Sequence, residues 1–206
     1  MRRLVPLEGV AADLQYRAEG LPGVTELAFM ESEAAERLAE AQQWLDRLRE
    51  GWELLIWDPW RSRTTQRAIA DRYHAELVAA GEDADTAWDS VWGFVANPSN
   101  VYPHGTGGVV DLTLQRHGKE VDCGTGFDEF TRRAHRDWFT VQPPRTSEQI
   151  QAAYHRTLLE QAMEHAGFVG LPQEWWHFEW GTTRWARTLG RQPVLTETLE
   201  LPGGAS

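Results

Sequence analysis

SEAAERLAEAQQWLDRLREGWELLIWDP, residues 32–59, carries a helix pattern and a strand pattern back to back, the unit from which the fold class follows. Ala34, Leu38, Ala41, Leu45 and Leu48 recur at steps of three and four, the spacing that lines one face of a helix with apolar side chains. It predicts an amphipathic helix over Glu33–Glu50, with Ser32 as N-cap and Gly51 just past the end. Trp52-Glu53-Leu54-Leu55-Ile56-Trp57 follows directly as a short, mostly apolar run. Asp58-Pro59 ends it, because proline has no N–H to give to a ladder. That run reads as a buried strand.

Outward from this pair the same alternation of helix and strand continues. Ala68, Ile69, Tyr73, Leu77 and Ala80 mark one side of a second helix over Thr64–Ala80, which Gly81 stops. Residues 97–108 are rich in Pro, Gly and Asn and read as an ordered loop. Val109–Leu114 reads as a strand with Val110, Leu112 and Leu114 on one side and Val109, Asp111 and Thr113 on the other, so that Asp111 stands out among apolar neighbours. A hairpin is expected at His117-Gly118-Lys119, a return strand from Val121, and a glycine-rich turn over Cys123–Asp128. Thr146 with Gln149 forms a capping-box pattern for a third helix, Ser147–Ala166, closed by Gly167. Glu174–Trp180 reads as a late aromatic strand, and 201–206 as a frayed end. No repeat or linker divides the chain. The expectation is one α+β domain over 1–206, its core at about 13–185 and its tail at 186–206, with a largely antiparallel central sheet flanked by helices.

Composition narrows the function. A net charge of -11 over 206 residues disfavours nucleic acid, whose binders need clustered Lys and Arg. The single cysteine, Cys123, cannot make an internal disulfide, and a buried thiol is the expected state. The apolar run at the start is too short for a signal peptide, and no stretch is long enough to span a membrane. A cytoplasmic location with no membrane partner is therefore expected. Eleven tryptophans promise large rings in the core and any cleft, and by themselves no function.

Three segments carry residue types suited to chemistry. His104 and Asp111 bracket Gly105, Gly107 and Gly108; a bend there would let an imidazole and a carboxylate reach one metal ion, which a straight strand with an odd separation would not. Glu174-Trp175-Trp176-His177 offers a third ligand and a neighbouring carboxylate able to take a proton from water. Asp58-Pro59-Trp60-Arg61-Ser62-Arg63 puts an arginine, Arg61 in preference to Arg63, at a strand end where it could face a developing oxyanion. Taken singly each has a purely structural reading: a loop histidine beside a hairpin, a polar rim on an aromatic strand, a surface ion pair.

Jointly, and in this order, the segments resemble the VanX-type D-alanyl-D-alanine dipeptidases, zinc enzymes related to D,D-carboxypeptidases and the Hedgehog domain. His104, Gly107, Asp111 and the complete Glu174-Trp175-Trp176-His177 fall on the family pattern, as do Leu54–Asp58 with Arg61, Asp111–Leu114 and Gly124–Asp128. The resemblance covers about 13–180 and implies one Zn2+ per chain on His104, Asp111 and His177, with Glu174 as general base and Arg61 steadying the tetrahedral intermediate. It implies further that Asp128 and Tyr16 hold the amino group of a small dipeptide. Where the family has serine two residues before the first histidine, this chain has Tyr102, a bulkier substitute at the same pocket that can still donate a hydrogen bond. The implied activity is hydrolysis of D-Ala-D-Ala or a related dipeptide, in degradation or recycling of a cell-wall precursor. A peptidoglycan D,D-carboxypeptidase or endopeptidase and a non-catalytic zinc module remain open, as does the oligomeric state. Glu174 and Arg61 speak against the structural module, which needs neither.

Overall fold

In a computed structural model that describes residues 2–48 and 50–201, β1 (Leu4–Pro6), β2 (Ala11–Ala12), α1 (Gln15–Ala18) and β3 (Phe29–Glu31) precede α2 (Ser32–Leu48). β4 (Trp52–Asp58) then leads to α3 (Arg63–Ala79) and α4 (Ala84–Trp92). A 3-10 turn, His104–Thr106, enters β5 (Val109–Arg116), which pairs with β6 (Lys119–Glu120). Beyond them come α5 (Trp138–Val141), α6 (Ser147–His165), β7 (Val169–Leu171), β8 (Glu174–Glu179) and α7 (Thr183–Leu189).

The main sheet runs β2-β4-β5-β8-β7, with β6 beside β5, while β1 and β3 form a separate antiparallel pair. The expected α+β class holds. β2 pairs β4 in parallel, so the sheet is mixed, and its other pairs are antiparallel as expected.

The sequence pattern explains the layers. Leu38 and Leu45 of α2 meet Leu54 and Ile56 of β4, Leu112 and Leu114 of β5, and Leu159 and Met163 of α6 in one buried cluster. Burying each such side chain contributes roughly 1.5–3 kcal/mol, enough to hold helices whose own hydrogen bonds are marginal in water. A smaller cluster of Tyr16, Ile69, Ala70, Val91 and Val95 joins α1, α3 and α4. The cavity described below lies where α3 of this second cluster faces the ends of β5 and β8.

Several boundaries moved. Ser32 lies inside α2, and the Glu31 carboxylate accepts from the amides of Glu33 and Ala34 instead. The acid thereby also meets the positive end of the helix dipole. α4 was not expected. It buries only Ala87 and Val91, a signal shorter than the window in which helical periodicity is read. β5 extends two residues past Leu114, and the return strand begins at Lys119, before Val121. His117 and Gly118, both at positive φ, make the tight two-residue connection that antiparallel strands favour. Both ends of the described chain pack on the body. Leu195 is buried, and Trp60 Nε1 donates to the carbonyl of Leu199. The expected fraying at 201–206 falls, for 202–206, outside the described residues.

Candidate active site

Strand register builds the site. Asp111 on β5 stands directly opposite His177 on β8, and Asp58 at the end of β4 comes opposite Asp111 because the register slips between Ile56 and Asp58. β8 is irregular as well. Gly170 faces Phe178 but Leu171 faces Glu174, so the segment between departs from the alternation that would send Glu174 and His177 to opposite sides. His104 arrives from the other direction. Its 3-10 turn ends at Gly107, φ 74°, where a Cβ would lie 2.8 Å from the amide nitrogen of Glu31. Only glycine takes that turn without cost.

Three donor atoms converge. His104 Nε2 is 3.3 Å from Asp111 Oδ2, and His177 Nδ1 is 2.9 Å from Asp111 Oδ1; one ligand atom from each of the three lies within 4.8 Å of the others. All three side chains are buried. Each imidazole has an acceptor behind it. His104 Nδ1 donates to the carbonyl of Pro59 at 2.8 Å, and His177 Nε2 donates to Glu179 Oε1 at 3.2 Å. Since a carbonyl and a carboxylate only accept, those ring nitrogens carry protons, and the other nitrogen of each ring faces Asp111. Asp111 Oδ1 is buried without a hydrogen-bond partner. Two imidazole nitrogens brought to within 3.3 Å of one buried carboxylate, each ring anchored through its other nitrogen, is the arrangement of ligands around a cation. Ligand atoms about 2 Å from a tetrahedral zinc lie roughly 3.3 Å apart, so the residues fit that ion.

Around this trio the other residues are held in place. Glu174 Oε2 is 3.7 Å from His177 Nδ1 and lines the same cavity. Burial pushes its carboxyl up to about 7, against the nearby His177, which lowers it. Arg61 donates from Nε and Nη2 to Asp58 Oδ2, at 2.9 and 2.7 Å, and from Nη1 to Gln66 Oε1 at 2.8 Å. Burial opposes its charge, yet Asp58 and the other acids hold it protonated. Its Nη2 remains 3.8 Å from Asp111 Oδ2. Asp128 Oδ2 accepts from Tyr16 at 2.8 Å and from Tyr73 at 3.1 Å. Burial raises the Asp128 carboxyl to about 6, with the Tyr16 hydroxyl and Arg61 pulling the other way.

A cavity of about 230 Å³ unites Tyr16, Arg61, His104, Asp111, Asp128, Glu174 and His177. Tyr102 is the exception and corrects the expectation for it. Its hydroxyl donates to the carbonyl of Arg61, and its ring fills the space beside Gly105. It is 1% exposed and does not line the cavity. The sequence pointed to no site role for Asp58, Gln66, Tyr73 or Glu179. Glu179, two residues from His177 on the same strand, could have been found from the period of two.

The model of the peptidase M15 family described as D-ala-D-ala dipeptidase matches residues 3–194. The chain belongs to that family. It is therefore a peptidase, as the joint motifs implied. The D-alanyl-D-alanine dipeptidase of Synechocystis sp. is 31% identical over 199 residues, covering 88% of this chain and 77% of that protein. Among solved structures, a mutant of the vancomycin resistance D,D-pentapeptidase VanY in complex with Zn(II) superposes with a TM-score of 0.51 at 16% identity, over 87% of each chain. VanYB in complex with D-alanine-D-alanine gives 0.51 at 15% identity, over 91% of this chain and 89% of that one. At such identities the likeness establishes the shared fold of this family member. No helix among its described residues is long and apolar enough to cross a membrane.

Proposed function

We propose that the protein is a zinc-dependent dipeptidase that hydrolyses D-Ala-D-Ala or a closely related dipeptide, degrading or recycling a cell-wall precursor in the cytoplasm. The observation that carries this reading is the convergence of His104 Nε2 and His177 Nδ1, each imidazole fixed from behind, on the two oxygens of the buried Asp111 carboxylate, of which Oδ1 has no hydrogen-bond partner. These residues would hold one Zn2+ per chain, which when bound would supply Lewis-acid polarisation of the scissile carbonyl and of water. Glu174 takes the proton from the attacking water and returns it to the leaving amine. Arg61, rigidly held by Asp58 and Gln66, presents a fixed positive charge to the developing oxyanion without having to reorganise. Asp128, with Tyr16, accepts the free ammonium at the other end of the substrate, which restricts the reaction to very short peptides. The names of relatives, the Zn(II) complex and the D-alanine-D-alanine complex of VanYB support this assignment.

The test is hydrolysis of the four stereoisomers of Ala-Ala by the purified protein. Cleavage of the D,D isomer, abolished by a chelator and restored by zinc, is the expected result. Indifference to the chelator would remove the metal from the reaction, and failure on all four isomers would remove the substrate.

Asp128 makes a pH prediction. It faces Tyr16, Tyr73 and Arg72 directly, with Arg61, Asp111 and Glu174 nearby. With its carboxyl at about 6, it is ionised above that pH and neutral below it. KM for a free dipeptide should therefore rise as pH falls through 6, approaching about tenfold per unit, whereas an N-acetyl dipeptide shows no such rise. Asp128→Asn should flatten the difference; equal profiles for both substrates in the parent protein would dismiss the ammonium contact.

A further inference from the structure

We propose that Tyr73, Phe94 and Phe130 form an aromatic pocket that receives the side chain of the substrate's amino-terminal residue and favours apolar side chains larger than a methyl. The inference rests on the reading of Asp128 as the ammonium site and extends it to the neighbouring atoms. Tyr73 belongs to both places. Its hydroxyl donates to Asp128 Oδ2 at 3.1 Å, while its ring meets Phe94 edge-on at 5.2 Å and Phe130 at 5.6 Å between centroids. Phe94 and Phe130 are themselves 5.7 Å apart, which closes the three rings into one group.

Covalent geometry links this group to the ammonium. The first side-chain carbon of an amino acid lies roughly 2.5 Å from its amino nitrogen. An ammonium hydrogen-bonded to Asp128 thus has its side chain within about 4–5 Å of that carboxylate, the neighbourhood that the Tyr73 ring occupies. The two phenylalanines come from separate loops. Phe94 follows α4 by two residues, and Phe130 lies two residues beyond Asp128, whose φ of 55° turns the chain there. Both line the cavity, yet each is 44% exposed. They therefore hold apolar surface that the fold leaves in water. Ile69 and Val95, both buried, complete the apolar wall behind them. The methyl of an alanine would cover little of these rings, whereas each further buried methylene is worth roughly a fourfold gain in affinity.

The experiment measures kcat/KM of the zinc-loaded protein for X-D-Ala dipeptides with X as D-Ala, D-Val, D-Leu and D-Phe. The ratio of D-Leu to D-Ala at X should be at least about tenfold in the parent. In Phe94→Ala and Phe130→Ala it should fall by about fivefold or more, and Phe130→Leu, which keeps an apolar wall and the fold, should fall less than Phe130→Ala. A parent that prefers D-Ala at X, or a ratio unchanged in these variants, overturns the proposal while leaving the dipeptidase reading intact. No hydrolysis of any of the dipeptides overturns that reading, and this proposal with it.

Discussion

Glu174→Gln is expected to lower kcat/KM for D-Ala-D-Ala by about 10³-fold while the protein stays folded and keeps its zinc. The amide is nearly isosteric with the carboxylate, so the cavity wall is preserved, but it can neither accept the proton of the attacking water nor deliver one to the leaving amine. General-base groups contribute about 10²–10⁴-fold, and in the proposed reaction the same carboxylate serves in both half-steps. Its placement singles it out. Glu174 lies 3.7 Å from a ring nitrogen of His177 with its side chain 15% exposed, yet it is not part of the converging trio. Glu179, the other glutamate beside His177, is engaged by the His177 Nε2 proton, the Thr182 hydroxyl and Arg184. The measurement is steady-state kinetics alongside metal content. A Glu174→Gln protein that carries full zinc and turns over at the parent rate would show that the base is elsewhere.

His177→Ala should act at an earlier step, with zinc content after dialysis falling from one equivalent to near none and activity falling by at least about 10⁴-fold. In the proposed site His177 is one of three protein ligands among the described residues, and Asp111 Oδ1, which it faces at 2.9 Å, has no other partner to take its place. The fold should survive, because Glu179 keeps Thr182 and Arg184, and β8 stays paired with β5 and β7 through its backbone. Metal analysis together with a thermal melt separates the two effects. Undiminished zinc in a folded His177→Ala protein would dismiss the assigned site. Together the two variants divide the site in chemical terms, since one keeps the ion and loses the proton acceptor while the other does the reverse.

The main elements could be read from residue order because their signals are local. The α2 stripe of Ala34, Leu38, Ala41 and Leu45 is buried as its spacing required, and the apolar run of β4 lies in the middle of the sheet. The trio of His104, Asp111 and His177 was legible through residue types and their order. Its supports were not. Asp58 gains its place from a slip in the β4–β5 register, and Glu174, named from the sequence, owes its position in the cavity to an irregularity in β8; such slips belong to a pair of strands and leave no mark on either one alone. Tyr102 was misplaced for a similar reason. A side chain at a given position can point into a cavity or away from it, and here the carbonyl of Arg61 and the open space beside Gly105 draw the ring away.

Residue order alone thus determined the main helices and strands, α2, α3, α6, β4, β5 and β8, and which side chains are chemically able to bind a metal or carry a proton, since these depend on local periodicity and on functional groups. Tertiary structure decided which of those groups face one another across about 3 Å, which imidazole nitrogen keeps its proton, and that aromatic rings from α3 and two loops meet beside Asp128. Those outcomes depend on contacts between segments distant in the chain, whose geometry exists only once the sheet has set its register and the core has packed beneath it.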